Sequence, residues 1–139
     1  MRYILASHGP FAKAALASAE MIVGEQENVD VLEVGFDTTL DGMKGEIVEV
    51  IKRYEGEEYI IFCDILGGTP FNASIKVLHE FERLSIVTGF NLPMLIEVFM
   101  TPLETRQQLL EKVREVYPES LNIFDSSMLE TEEEETYEL

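Results

Sequence analysis

A chain of 139 residues, 46% hydrophobic and 27% charged, has the size and balance of one soluble globular domain that buries its core without staples. Its single cysteine excludes an internal disulfide framework, no CxxC or Cys/His cluster has zinc spacing, and the opening apolar run is too short for a signal-peptide core or a membrane span, so a cytoplasmic protein is expected. The formal charge of −17 repels nucleic acid and anionic membranes and suits a basic protein partner.

Residues 2–7 read as a buried strand that ends in Ser7-His8-Gly9-Pro10. Pro10 suits the first position of a helix over 11–23, for which Gly24 is the stop. A second strand over 29–34 precedes a turn through Gly35 and Asp37. A second helix is expected over about 40–54, with Met43, Ile47, Val50 and Ile51 as its apolar stripe. Residues 59–64 form the third strand, and a third helix over 70–81 takes Thr69 as its cap. A fourth strand over 84–88 ends at Gly89. Beyond a loop at Asn91-Leu92-Pro93, a short helix covers 94–100, and Thr101-Pro102 restarts a helix that runs to Val116 before Pro118 breaks it. Residues 121–124 are apolar enough for a short edge strand. One domain over 1–124 is thus expected, followed by a tail over 125–139. That tail holds seven acids and no Lys or Arg, and disorder is expected there. The rest carries twenty acids against ten bases, a charge of −10.

Strands alternating with helices of this length imply an α/β fold, doubly wound around a mostly parallel sheet. Its commonest small order is 2-1-3-4, with ligands bound beyond the strand ends at the switch between strands one and three. His8 ends strand one and Asp64 ends strand three, so the two converge from distant parts of the sequence. A carboxylate that accepts from one imidazole nitrogen leaves the other free to attack phosphorus, and it stabilises the charge the ring gains. Gly67, Gly68 and Thr69 follow Asp64 at the start of the third helix, where backbone N–H groups face outward to bind an anion. His79 reads as a surface helical residue and Cys63 as a small buried one. No Walker loop, dinucleotide fingerprint or serine elbow is present. These residues alone also admit a flavodoxin-like regulatory or ligand-binding module without turnover.

Four separated stretches resemble the IIA domain of the mannose-type sugar phosphotransferase system, most clearly over about residues 1–100. They are Ser7-His8-Gly9, the run from Ala19-Glu20-Met21 through Gly24 to Val29, the run from Asp64 to Ala73, and Asn91-Leu92-Pro93-Met94-Leu95. The resemblance implies a flavodoxin-like doubly wound fold and a phosphotransferase with a phosphohistidine intermediate. In that scheme His8 accepts phosphate from the phosphocarrier protein HPr and hands it to a IIB component. Asp64 orients the histidine, and Gly9, Gly67, Gly68 and Thr69 line the phosphate site. It implies neither cofactor nor metal. The implied partners are HPr, a separate IIB chain, the membrane IIC and IID components indirectly, and a second copy of the chain. The 121–124 strand is the candidate for exchange in that homodimer. Leu66 and Pro10 depart from the aromatic residues that some relatives carry, which bears on partner contacts rather than on the chemistry. A related carrier, serving a phosphotransferase-dependent dihydroxyacetone kinase, is the alternative within the same chemistry; it typically lacks the full Gly-Gly-Thr-Pro-Phe-Asn stretch.

Overall fold

The computed structural model describes residues 1–129. Strands β1 (Arg2–His8), β2 (Val29–Val34), β3 (Tyr59–Cys63) and β4 (Leu84–Thr88) form one sheet in the order β2-β1-β3-β4, and every neighbouring pair is parallel. Helices α1 (Phe11–Val23), α2 (Leu40–Arg53), α3 (Gly68–Leu78), α4 (Leu92–Met100) and α5 (Arg106–Val116) complete the α/β fold. The expected strand order is the observed one.

The period of two along a strand sorts the core into two layers. Tyr3, Leu5, Ile60 and Phe62 point to one face and pack with Ala12 and Ala19 of α1, Met94, Leu95 and Val98 of α4, and Leu109 and Val113 of α5. Ile4, Ala6, Ile61 and Cys63 point to the other, against Met43 and Ile47 of α2 and Ala73 and Val77 of α3. The central strands are buried on both faces, which explains why they read as unbroken apolar runs rather than alternating ones.

Several boundaries differ from the expected ones, each for a local reason. Gly67 and Gly68 adopt φ of 83° and 81°, turning the chain before Thr69, so the cap of α3 is Gly67 and Thr69 lies inside the first turn. That helix also stops at Leu78, short of residue 81. Pro10 occupies the cap position of α1 rather than its first helical residue. Helix α4 starts two residues early, because the Asn91 side chain accepts from the Met94 N–H. Thr101-Pro102 begins no helix; α5 starts at Arg106, after a capping box formed by Thr105 and Gln108. The expected strand over 121–124 does not form: those residues are irregular, and the sheet of the described residues consists of β2, β1, β3 and β4. The expected tail boundary at 125 falls just before a 3-10 turn over Ser126–Leu129. The remainder of that tail lies outside the described residues.

Candidate active site

In a parallel sheet all strands end on one edge, and the loops leaving β1, β2 and β3 gather there. His8 is the last residue of β1, in register with Val34, the last residue of β2. Ala6 of β1 is paired with Cys63, so Asp64 emerges beside His8 as β3 ends. The Asp64 N–H donates to the Ala6 carbonyl at 3.2 Å, extending the ladder by one bond and fixing where the carboxylate begins.

That carboxylate meets three donors. Its Oδ2 accepts from the His8 backbone N–H at 2.9 Å and lies 2.9 Å from His8 Nδ1, while Oδ1 accepts from the Ile65 N–H at 2.9 Å. Burial disfavours its charge, but the backbone bond from His8, the ring contact and the Ile65 bond outweigh that and hold the carboxyl below its ordinary value. An ionised carboxylate only accepts, so Nδ1 carries a hydrogen and Nε2 of the neutral ring carries the lone pair. The Asp64 side chain is 12% exposed and that of His8 47%. One partner is shielded and fixed; the other reaches solvent.

The opposite edge of the ring faces the β3–α3 turn. A Cβ built on Gly68 would lie 2.8 Å from His8 Cε1 and 3.0 Å from Nε2. Only a glycine permits this approach, and its φ of 81° favours glycine independently. Gly67, Gly68 and Thr69 begin a helix, so their N–H groups have no acceptor within it. Gly9 differs from these three: its N–H donates to the Val34 carbonyl at 2.8 Å, which leaves its backbone no free donor for an anion. His79, at the end of α3, is exposed on the surface.

His8 is thus joined by Asp64 and Gly68. The sequence supplies the residue types at the right strand ends; it does not show that Gly68 lies against the ring, because its double glycine reads equally as an ordinary turn. The Ile65 N–H on Asp64 has no sequence signal, since any residue but proline supplies it. Exposed apolar side chains lie along the same sheet edge, with Phe11 after β1, Phe36 after β2, and Ile65 and Leu66 after β3. A cavity of about 260 Å³ lined by Ile51, Tyr54, Phe81 and Arg83 sits at the opposite edge, where β3 and β4 begin. Among the described residues, no group of three or more His, Cys, Asp or Glu side chains is gathered as for a metal, and no helix is long and apolar enough to cross a membrane.

Comparison with known proteins agrees with this architecture. The chain is 34% identical over 98 residues to the sorbose-specific EIIA component of the phosphotransferase system from Lacticaseibacillus casei, a match covering 70% of this chain and 71% of that one. It is 32% identical over 106 residues to the mannose-specific EIIAB component of Escherichia coli K12, covering 70% of this chain but spanning only 30% of that relative. The mannose/sorbose-specific IIA subunit from Enterococcus faecalis superimposes with a TM-score of 0.83 at 28% identity, covering 89% of this chain and 94% of that one. The family described as "PTS system fructose IIA component" matches residues 2–117, and the chain belongs to it: the EIIA-man family of the sugar phosphotransferase system.

Proposed function

We propose that this protein is a phosphoryl carrier that accepts phosphate on Nε2 of His8 from phospho-HPr and passes it to a IIB component. The observation that carries the reading is the clamp on His8. Asp64 holds Nδ1 while the Nε2 edge stays open beside the Gly68 turn.

In the accepting step the Nε2 lone pair forms a bond to phosphorus as the donor's phosphorus–nitrogen bond breaks, and the donor imidazole keeps that electron pair. The His8 ring gains positive charge as it attacks. Asp64 stabilises that charge and keeps the ring from rotating. The outward N–H groups of Gly68 and Thr69 receive the equatorial oxygens, assisted by the N-terminus of α3. Transfer to IIB is the same reaction in reverse, with His8 as the leaving group. The apolar rim of Phe11, Phe36, Ile65 and Leu66 suits protein partners, which bury such surface on docking. The same reading includes association of two copies through the apolar segment around 121–124, and work in the cytoplasm beside the membrane IIC and IID components.

The test is phosphoryl transfer from HPr phosphorylated on its histidine. The expected product is an acid-labile, base-stable phosphate on this chain. The His8→Ala variant gains none, and a folded Asp64→Asn variant gains it at least tenfold more slowly, an order set by the roughly 10²-fold sensitivity of transfer to positioning. Labelling that survives His8→Ala removes His8 from the proposal. An unchanged rate in Asp64→Asn removes the clamp. Mixing the phosphorylated protein with IIB chains and with dihydroxyacetone kinase subunits separates the sugar-uptake reading from its alternative.

A further inference from the structure

Ser7 stands next to His8 but points to the other side of the sheet, toward α1, and it is fully buried. A buried hydroxyl is disfavoured unless its bonds are satisfied, and here each is assigned. Its Oγ accepts from the Ala12 N–H at 2.8 Å and donates to the Gly9 carbonyl at 3.2 Å.

Both bonds compensate for a weakness in the β1–α1 connection. Pro10, the cap residue of α1, has no side chain able to accept from the first helical N–H groups. Ala12 is the second helical residue and is itself fully buried, so water cannot reach its N–H in place of a cap. Ser7 therefore caps α1 from the preceding strand. The same hydroxyl ties down the carbonyl of Gly9, whose φ of 56° sends the chain away from the sheet, while the Gly9 N–H bonds to Val34. His8 lies between these anchors. Its own N–H is held by Asp64, and the two peptides that follow it are held in turn, the Gly9 N–H by the Val34 carbonyl and the Gly9 carbonyl by the Ser7 hydroxyl.

We propose that Ser7 is a positioning residue for His8: its hydroxyl locks the Gly9-Pro10 turn so that the imidazole meets Asp64 through Nδ1 and presents Nε2 outward. It touches neither the ring nor a phosphate and acts only through the backbone on both sides of His8. The inference rests on the phosphoryl-carrier reading for its catalytic consequence, though not for its structural one.

The experiment pairs Ser7→Ala, which deletes the hydroxyl, with Ser7→Thr, which keeps it. The readouts are the ¹⁵N signals of the His8 ring, amide exchange at Ala12, and the rate of labelling by phospho-HPr. In the wild-type protein the ring is expected in the Nδ1–H tautomer, the minor one for a free histidine side chain. Ser7→Ala is expected to move the ring signals toward those of free histidine, to speed Ala12 exchange, and to slow labelling about tenfold without changing the half-saturating donor concentration. Ser7→Thr is expected to restore the ring signals and to bring labelling within about threefold of wild type. A folded Ser7→Ala with wild-type ring signals overturns the proposal, as does a Ser7→Thr no better than Ser7→Ala. Should Ser7→Ala fail to fold, Ser7→Thr carries the test: wild-type ring signals support the role, and signals of free histidine overturn it. If the wild-type chain takes no phosphate at all, the carrier reading fails, while the ring signals still decide the role of Ser7.

Discussion

At Gly68 the backbone passes so close to the imidazole of His8 that one added methyl group has a calculable effect. The new Cβ would meet Cε1 at 2.8 Å, inside van der Waals contact, on a residue whose φ is 81°. The backbone strain costs about 1–2 kcal/mol for an L-residue in the left-handed region. The contact is relieved differently, because His8 is 47% exposed and free to swing outward. Gly68→Ala is therefore expected to fold with a modest loss of stability but with the ring pulled off Asp64. Labelling by phospho-HPr should fall about 100-fold, the scale of a 1 Å misplacement, and the Nδ1–H signature of the ring should vanish. A Gly68→Ala protein that keeps both the tautomer and the rate would show that the turn yields instead of the histidine. The equivalent change at Gly67, which meets nothing within 4 Å, carries the backbone strain without the contact and serves as the control.

Among the elements, α5 shows both the reach and the limit of sequence reading. Its N-terminus is closed by the Thr105 side chain, which accepts from the Gln108 N–H at 3.1 Å, while the Gln108 side chain accepts from the Thr105 N–H at 3.3 Å. Thr105→Ala removes half of this box and should destabilise the protein by about 1 kcal/mol, or roughly 3–5 °C in Tm for a domain of this size. Because α5 packs on the sheet face away from α3, labelling should be unaffected; a shifted labelling rate would mean that α5 communicates with His8. The signal for this start, Thr-x-x-Gln ahead of Leu109, was present in the sequence. Thr101-Pro102 offered a competing one, four residues upstream. The competition was settled by tertiary contact: Arg106 Nε bonds to Glu58 Oε2 at 2.5 Å and Arg106 Nη1 to Ser85 Oγ at 3.2 Å, which sets the helix against the strand starts. The strands and their order were legible because buried parallel strands leave long apolar runs. The pairing of His8 with Asp64 was legible because both end such runs. The roles of Ser7 and Gly68 were not, since each depends on a distance between segments that the local pattern does not encode.

For the whole molecule, charge and apolar surface oppose each other. A chain of formal charge −17 repels a second copy of itself, so any proposed homodimer must rest on apolar burial and backbone pairing. The material for both is present. Leu121 is 73% exposed and Ile123 is 73% exposed, and among the described residues β4 lies at one edge of the sheet, paired with β3. The segment over 121–124 is irregular; under the proposal, a second copy supplies the ladder on which it pairs as a strand. Two truncations separate the opposing terms. Removing residues 130–139 deletes six of the acids and should tighten association by reducing repulsion. Removing everything after Ser120 deletes those six acids and Asp125 together with Leu121 and Ile123; if repulsion alone governed association, it should tighten further. Under the proposal it instead yields a monomer by sedimentation equilibrium. Salt gives the same sign by another route, because screening weakens repulsion between like-charged copies while leaving apolar burial intact. The full chain should therefore dimerise more tightly as ionic strength rises from about 0.05 to about 0.5 M, where the Debye length shrinks severalfold. A full chain that stays monomeric at high salt, or a chain ending at Ser120 that dimerises as well as the full one, would assign the exposed apolar segment to something other than a second copy.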